Sequence, residues 1–253
     1  MSYGLLIDLD KCDGCGGGDE CECQQACQKA HGLPVGKIDK LTASNFCWVE
    51  KITEDVYVRR LCQHCEDPAC ASVCPVAALE KTAAGPVIYH EDKCLGCRYC
   101  LLACPFGVPK YEWDSTRPRV RKCTLCYEDR TSKGLPTACA EACQTGGTTF
   151  GPRDELLATA LKRLSEDKAY VQKIYGMKEA GGTSVLYVTK VPFEKLGFSI
   201  TLGYEPLPEK TWNVLSKLPD VVSIGGVLLA GIWWITNRRA EVRAHEEAAK
   251  LKK

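Results

Sequence analysis

The cysteines between Lys93 and Pro105 follow the spacing of an iron-sulfur ligand loop. Cys94, Cys97, Cys100 and Cys104 form a C-x2-C-x2-C-x3-C-P motif. Thiolates at the first three positions, on one tight loop, can converge on three irons of a single 4Fe-4S cubane. The fourth cysteine of such a run binds a different cluster. The motif is therefore incomplete by itself and predicts a partner motif elsewhere in the chain.

Three further motifs of this kind are present. The second motif, C-x2-C-x4-C-x3-C-P, contains Cys62, Cys65, Cys70 and Cys74, followed by Pro75. The first motif contains Cys12, Cys15, Cys23 and Cys27, and an insertion within it carries Cys21 and the glycines at 16–18. The fourth motif contains Cys123, Cys126, Cys139 and Cys143. The first and fourth motifs depart from the pattern, because Gln28 and Gln144 follow their last cysteines where the other two motifs have proline.

The composition narrows the class of cofactor. The chain has 18 cysteines in 253 residues, and its formal net charge of +1 gives no reason to expect a nucleic-acid partner. Disulfides are disfavoured because cysteines two or three residues apart on one loop rarely reach bonding geometry. Structural zinc usually uses two separated C-x2-C pairs, without the trailing cysteine and proline. Iron-sulfur clusters are the interpretation that these spacings favour.

The sixteen motif cysteines form four complete ligand sets if each fourth cysteine crosses to the other cluster of its pair. Motifs two and three then pair with each other, as do motifs one and four. The sets are site A (Cys12, Cys15, Cys23, Cys143), site B (Cys62, Cys65, Cys70, Cys104), site C (Cys94, Cys97, Cys100, Cys74) and site D (Cys123, Cys126, Cys139, Cys27). We therefore expect four 4Fe-4S clusters and no iron with an open coordination position.

Two cysteines lie outside these sets. Cys21 is an alternative to Cys23 as the third ligand of site A, and we favour Cys23 because its spacing to Cys27 repeats that of the other motifs. Cys47 has no partner at ligand spacing, so we expect a packed core thiol. His31 and His64 are interpreted as hydrogen-bonding or surface residues, since enough cysteines are available as ligands.

Other side chains flank the cysteine loops. Tyr99, Phe106 and Tyr111 are expected either to cover clusters and exclude water or simply to pack in the core. A basic run, Arg117, Arg119, Arg121 and Lys122, precedes the fourth motif. Such a run is usually a solvated face, but here it can also compensate the negative charge of thiolate-bound clusters.

The elements around the loops predict an α+β fold with two ferredoxin-like units, one inserted in the other, and a C-terminal transmembrane helix. Strands are expected at Tyr3–Asp10, Val87–Tyr89 and Thr183–Thr189. An amphipathic helix is expected at Arg153–Glu166, with Leu156, Leu157, Ala160, Leu161 and Leu164 on its packed face. The segments are 1–54 and 113–151 (outer unit), 55–112 (inserted unit), 152–211 (helix, strand and an extended tether at 192–210), 212–237 (transmembrane helix) and 238–253 (basic tail).

The transmembrane prediction depends on Val221–Thr236, sixteen residues without a charge. As a helix this segment is about 24 Å long, which is short for a hydrocarbon layer of roughly 30 Å. Extension back to Leu215 gives about 33 Å. Trp212 and Trp233 would lie about 32 Å apart, which suits two aromatic belts. The alternative is a helix buried against a partner subunit.

Flanking charge predicts the orientation. Six cationic residues follow the apolar segment, namely Arg238, Arg239, Arg243, Lys250, Lys252 and Lys253, whereas only Lys210 and Lys217 closely precede it. This asymmetry favours a cytoplasmic C-terminus, in the inner (cytoplasmic) membrane, with the cluster domain on the periplasmic side. No export signal precedes Cys12, so the domain is expected to cross the membrane with a partner that carries one.

With the motifs in this order, followed by the TTFGPRDELL and GGTSVLYVTKVPFEKL stretches, the chain resembles the four-cluster iron-sulfur (beta) subunits of membrane-bound molybdopterin oxidoreductases and hydrogenases. Examples are those of formate dehydrogenase-N, hydrogenase-2, quinone reductase and polysulfide reductase complexes. The resemblance implies a non-catalytic electron relay. It also implies two partners: a molybdopterin-type, hydrogenase or cytochrome c subunit, and an integral membrane quinone-binding subunit.

Two interpretations from other classes compete with this one. A self-contained iron-sulfur enzyme would need a ligand set that lacks one cysteine, and the sequence has none. A cysteine-rich structural scaffold would contain zinc or disulfides and no redox-active cluster.

Overall fold

Strand β1 (Tyr3–Asp8) is the central strand of a three-stranded sheet in the computed structural model, which describes residues 2–17 and 21–250. It pairs antiparallel with β8 (Thr148–Pro152) and parallel with β9 (Val185–Val188). Its apolar run is buried on both faces, as a central strand requires. The strands predicted near the N-terminus and after residue 182 are therefore confirmed, although β1 ends two residues early.

Three antiparallel hairpins lie in the chain between β1 and β8. They are β2 (Trp48–Lys51) with β3 (Tyr57–Arg60), β4 (Leu79–Lys81) with β5 (Val87–Tyr89), and β6 (Lys110–Tyr111) with β7 (Val120–Arg121). The predicted strand at Val87–Tyr89 is therefore confirmed.

The helices of the cysteine segments are short. They are α1 (Gly14–Gly17, one turn), α2 (Glu22–Ala30), α3 (Ala69–Ser72), α4 (Tyr99–Ala103) and α5 (Ala138–Glu141). Most begin just before the third cysteine of a motif and end at or near the fourth. Residues 18–20 of the first-motif insertion, which include one of its three glycines, lie outside the described residues.

Helix α6 (Arg153–Glu166) has the predicted bounds. It packs against the central sheet through Leu156, Ala160 and Leu164, which are buried. Leu161, by contrast, is 49% exposed, so its place on the predicted packed face is wrong. Asp8 at the end of β1 is fully buried and accepts hydrogen bonds from Arg163 Nη1 (2.9 Å) and from the Tyr170 hydroxyl. These bonds satisfy a carboxylate that burial would otherwise destabilise.

The segment predicted as an extended tether differs from the prediction. Residues Phe193–Leu196 form a turn of 3-10 helix, and Phe193, Leu196 and Phe198 are buried. Phe198 packs edge-on against Tyr175 and Tyr187, with ring centroids 4.7 and 5.0 Å apart. The glycine and proline content suggested an open chain, but burial of these aromatic rings outweighs it.

The chain divides into two units, Met1–Pro208 and Glu209–Lys253. Helix α7 (Leu207–Leu215) is followed by α8 (Leu218–Lys250), which has no buried residues. The span Leu207–Lys250 is long and apolar enough to cross a membrane, judged by length and composition. The helix includes most of the basic tail, since it continues to Lys250.

Candidate iron-sulfur sites

The four cysteines predicted for site C lie around one cavity. Cys74, Cys94, Cys97 and Cys100 line one small cavity of about 20 Å³. Cys74 comes from the second motif and the other three come from the third. The structure therefore brings together the set that the crossing rule predicts.

The cysteines of site B are mutual neighbours. The pKa of Cys65 is raised well above its usual value, first by burial and then by the charges of Cys62, Cys104 and Cys70. Burial likewise raises the pKa of Cys70 to about 12, with the charges of Cys62 and Cys104 adding to the shift. Cys104 belongs to the third motif, so this set also crosses between motifs.

Site D combines Cys27 of the first motif with three cysteines of the fourth. Burial raises the pKa of Cys27 well above its usual value, and the charges of Cys47, Cys123, Cys139 and Cys126 raise it further, Cys47 having the largest effect among them. The pKa of Cys126 rises to about 11 because of burial. Thiols with such raised pKa values stay protonated at neutral pH unless a metal displaces the proton.

The cavity at site A is larger than the cavity at site C. Cys12, Cys15 and Cys143 line a cavity of about 200 Å³ together with both candidates for the third ligand, Cys21 and Cys23. Cys12 neighbours Cys143 and Cys15, whose charges add to the effect of burial in raising its pKa. Cys15 itself is exposed.

The two candidate ligands of site A have different neighbours. Cys21 is fully buried, its thiol donates to the Gly14 carbonyl at 3.2 Å, and burial together with the charge of Cys15 raises its pKa to about 12. Cys23 instead contacts Cys47 and also neighbours Cys139 of site D. Motif spacing favours Cys23 and proximity to Cys15 favours Cys21, so the choice stays a prediction.

In each motif the residue directly before the second cysteine has a left-handed backbone conformation. These residues are Gly14 (φ 62°), His64 (φ 47°), Gly96 (φ 76°) and Leu125 (φ 56°), of which His64 and Leu125 are not glycine. The left-handed conformation costs an L-residue roughly 1–2 kcal/mol. Its recurrence in all four motifs indicates a shared loop geometry that cluster binding compensates.

Three pairs of cysteines from different sites share a buried hydrophobic cluster and affect each other's charge. Cys23 of site A pairs in this way with Cys139 of site D. Cys123 of site D pairs with Cys62 of site B. Cys70 of site B pairs with Cys100 of site C. These pairs place the sites in the order A, D, B, C.

Buried cations lie among the cysteines. Lys122 is 4% exposed, and its ammonium group donates to the carbonyls of Val87 and Cys123. Its charge lowers the pKa of Cys70 against the larger effect of burial. The interpretation of the basic run as a solvated face is therefore wrong for Lys122, which compensates thiolate charge from within the fold. Arg117 alone of the four basic residues is largely exposed.

Arg59 is a second buried cation, 2% exposed, which the motif spacings did not identify. It belongs to β3, where Tyr57 and Arg59 alternate to the same inward face. An arginine at an inward strand position, directly before a cysteine motif, is the signal that could have identified it.

The donor sets fit 4Fe-4S clusters. All 18 cysteines are free thiols in the structure. Among the described residues, no three His, Cys, Asp or Glu side chains are placed so that they could hold a single metal ion. That finding concerns single ions, whereas a cubane spreads its four thiolates over four separate irons. Two buried donors beside the cysteines, Arg59 Nη2 and His64 Nε2, make no hydrogen bond of normal geometry within the described part of the chain, and cluster sulfur could accept from them.

The other residues that flank the motifs have defined environments. Cys47 is 2% exposed in the hydrophobic core, as expected for a packed thiol. His31 Nε2 lies 3.7 Å from Cys126 Sγ, and His64 Nδ1 accepts from the Val87 amide, so both are hydrogen-bonding residues. Tyr99 is 58% exposed, so core packing does not describe it.

Exposed apolar side chains lie in and near the third motif, which supplies three cysteines of site C. We define the apolar patch as Leu95, Tyr99, Leu102 and Trp113, of which Leu102 is 88% exposed and Trp113 is 68% exposed. Leu95 lines the site C cavity with Arg98, and the Arg98 guanidinium lies over the Trp113 ring at 5.3 Å. Clustered exposed apolar side chains of this size mark interaction surfaces.

The surface beside site A is polar. Asp13 and Cys15 are exposed, and the Gln144 amide donates to Glu22 at 2.6 Å. The two ends of the site order therefore present different chemistry to solvent.

Comparison with known proteins agrees with this geometry. The 4Fe-4S dicluster domain family matches residues 53–153, which contain the second, third and fourth motifs. The hydrogenase-2 operon protein HybA of Escherichia coli O157:H7 is 41% identical over 216 residues, covering 75% of this chain and 66% of that protein.

Two relatives come from Escherichia coli K12. The B subunit of anaerobic dimethyl sulfoxide reductase is 37% identical over 163 residues, covering 61% of this chain and 75% of that protein. The iron-sulfur subunit of nitrate-inducible formate dehydrogenase is 36% identical over 204 residues, covering 72% of this chain and 66% of that protein. The chain thus spans just under two thirds of the hydrogenase-2 and formate dehydrogenase relatives.

Proposed function

Since the chain belongs to the family of 4Fe-4S iron-sulfur subunits of respiratory oxidoreductases, we propose that it relays electrons between a catalytic subunit and a quinone-reactive membrane subunit. A bound 4Fe-4S cluster accepts and returns one electron at a time. The residues of this chain hold the clusters, set their spacing and exclude water. We propose sites A, B, C and D as the four ligand sets.

The observation that carries the proposal is the continuous series of cysteine pairs between the sites. The pairs Cys23 and Cys139, Cys123 and Cys62, and Cys70 and Cys100 each share a buried hydrophobic cluster and affect each other electrostatically. A self-contained enzyme would need only one such site and a substrate pocket beside it. A series of four sites with apolar and polar surfaces at its two ends suits a relay.

We propose the nested arrangement of two ferredoxin-like units on the basis of strand pairing. Strand β1 precedes the first motif and β8 follows the fourth, and the two pair over five residues. Sites A and D, which draw on these two motifs, form the outer unit. Sites B and C, whose motifs lie between them in the sequence, form the inserted unit.

The surfaces at the two ends suggest which partner binds where. The apolar patch, with its tyrosine, tryptophan and the neighbouring Arg98, has the composition of proteins that meet a membrane interface. We therefore assign the membrane subunit to site C. The polar surface beside site A is left for the catalytic subunit, of molybdopterin, hydrogenase or cytochrome c type.

The C-terminal helix is the proposed anchor of the complex. The span Leu207–Lys250 supplies the necessary length and hydropathy. Six cationic residues after Thr236, against Lys210 and Lys217 before it, support a cytoplasmic C-terminus and a periplasmic cluster domain. Protease added to intact spheroplasts should then digest the cluster domain, and its survival would reverse the orientation.

Metal content tests the cofactor assignment. The chain purified without oxygen should contain about 16 irons, four in each of four clusters, and an equal amount of sulfide. It should absorb near 400 nm and bleach with dithionite. Zinc in place of iron would support the structural scaffold instead.

Isolation of the native complex from membranes tests the relay. We expect a catalytic companion and an integral membrane companion to copurify. Molybdenum or tungsten would indicate a formate- or polysulfide-type partner, nickel a hydrogenase, and haem alone a cytochrome-fed quinone reductase. A chain that is recovered alone with turnover of its own would instead support the self-contained enzyme.

A further inference from the structure

Arg59 occupies a position between two of the proposed cluster sites. Its side chain lines the site A cavity together with Cys12 and Cys143. The same guanidinium lies beside Cys139 of site D. Because the side chain is 2% exposed, its charge is screened by protein and not by water.

Two hydrogen bonds fix the guanidinium in place. Arg59 Nη1 donates to Thr148 Oγ1 at 2.8 Å, and Nε donates to Cys47 Sγ at 3.1 Å. The Thr148 amide in turn donates to Cys143 Sγ at 3.3 Å, which connects the arrangement to site A. Nη2 is buried and makes no hydrogen bond of normal geometry within the described part of the chain, and the guanidinium interacts with the Cys139 thiol, so this donor faces the sulfur of site D.

Among the described residues, no carboxylate lies within ion-pairing distance of Arg59, although neighbouring Arg60 pairs with Glu50 at 2.8 Å. A buried cation without a carboxylate partner is costly unless other negative groups compensate it.

We propose that Arg59 sets the reduction potentials of the clusters at sites A and D by placing one fixed positive charge between them. Reduction adds a negative charge to a cluster, and a nearby cation or N–H donor stabilises that reduced form. Arg59 thereby raises both potentials together. Arg59 acts through its charge and does not bind iron. The inference rests on the proposed ligand sets of sites A and D.

The test is an anaerobic redox titration of the full chain followed by electron paramagnetic resonance. Arg59→Gln removes the charge and should move two of the four midpoint potentials to more negative values while two stay in place. Arg59→Lys retains the charge and should return both toward the wild-type values. Arg60→Gln is the matched control, since Arg60 is adjacent, half-buried and already paired, and it should move none.

A second variant covers the case in which Arg59→Gln does not load its clusters. Thr148→Asp keeps Arg59 and places a carboxylate against its guanidinium, so the same two potentials should fall. Thr148→Asn is the uncharged control. Unchanged potentials in a fully loaded Arg59→Gln or Thr148→Asp protein, or an equal shift of all four, would overturn the proposal.

The remaining outcomes are also decisive. One is that Arg59→Gln and Thr148→Asp both fail to load sites A and D while Arg59→Lys loads them. In that case the charge of Arg59 serves cluster assembly, and the proposal about potentials is wrong. If the wild-type chain itself shows fewer than four cluster signals, the proposed ligand sets fail, and that result is read before any variant is compared.

Discussion

Sites A and C, at the two ends of the proposed relay, differ in both construction and surroundings. At site C the cysteines line a cavity of about 20 Å³ near an apolar patch in which Leu102 is 88% exposed. At site A five cysteines line a cavity of about 200 Å³, and the neighbouring surface carries Asp13 and Glu22. The compact site borders a surface suited to an apolar partner, and the open site borders a polar one. One chain can therefore present two docking chemistries to two different subunits.

The largest difference between sites A and C should appear when each loses one ligand cysteine. Cys12→Ser and Cys97→Ser should each lower quinone-linked turnover on the order of 100-fold or more, since even outer-shell changes at metal sites cost about 10- to 100-fold. When electrons enter from the catalytic subunit, Cys97→Ser should leave three clusters reducible and Cys12→Ser none. Rapid-mixing spectroscopy of the complex measures this difference. The same reduced fraction in both variants would refute the assignment of the ends.

The next largest effect is expected at the apolar patch. Leu102→Glu places a charge in the proposed contact with the membrane subunit and should prevent copurification of that subunit while iron content stays unchanged. Leu161→Glu is the matched control, because Leu161 is also exposed and lies on α6, outside the cysteine motifs. An intact complex with Leu102→Glu would show that the patch serves another purpose.

A smaller effect should identify the third ligand of site A. From motif spacing, Cys23→Ser should lose one cluster, or about a quarter of the iron. Cys21→Ser should retain all of it. Iron and sulfide analysis of the two purified variants decides the question. The reverse result would assign the position to Cys21, in keeping with its proximity to Cys15.

The smallest effect is expected for Cys47→Ser. The serine hydroxyl can accept from Arg59 Nε as the thiol does, so cluster content should not change. The free energy of unfolding should change by about 1 kcal/mol, the usual contribution of one hydrogen bond. Chemical denaturation and iron analysis measure both quantities. Loss of a cluster would show that Cys47 is a ligand.

The same two sites show what the sequence could predict. The regular spacing of the third motif predicted three cysteines of site C, and the crossing rule added Cys74; all four line one cavity, because a short loop leaves each cysteine little freedom. The insertion in the first motif separates Cys15 from Cys23, and spacing alone no longer determines which thiol approaches the site. Residues 18–20 of that insertion are also outside the described part of the chain.

Outside the motifs, local sequence patterns predicted helices and strands but did not predict which charged side chains are buried. Periodicity gave the bounds of α6, and the apolar run gave β1. Arg59 and Lys122 were not recognised as buried, because arginine and lysine are usually exposed and their compensation comes from cysteines distant in sequence. The burial of Phe193 and Phe198 was missed for a related reason, since their aromatic partners belong to other segments.

The central position of β1 has a consequence for biosynthesis. Both neighbours of this first strand, β8 and β9, leave the ribosome more than a hundred residues after it. The outer sheet therefore cannot close on a nascent polypeptide until Val188 has emerged, whereas the hairpins near sites B and C are local in sequence and can form earlier. Insertion of the clusters should follow the same order. The clusters of sites B and C can be inserted early in translation, whereas those of sites A and D must wait until Val188 has left the ribosome.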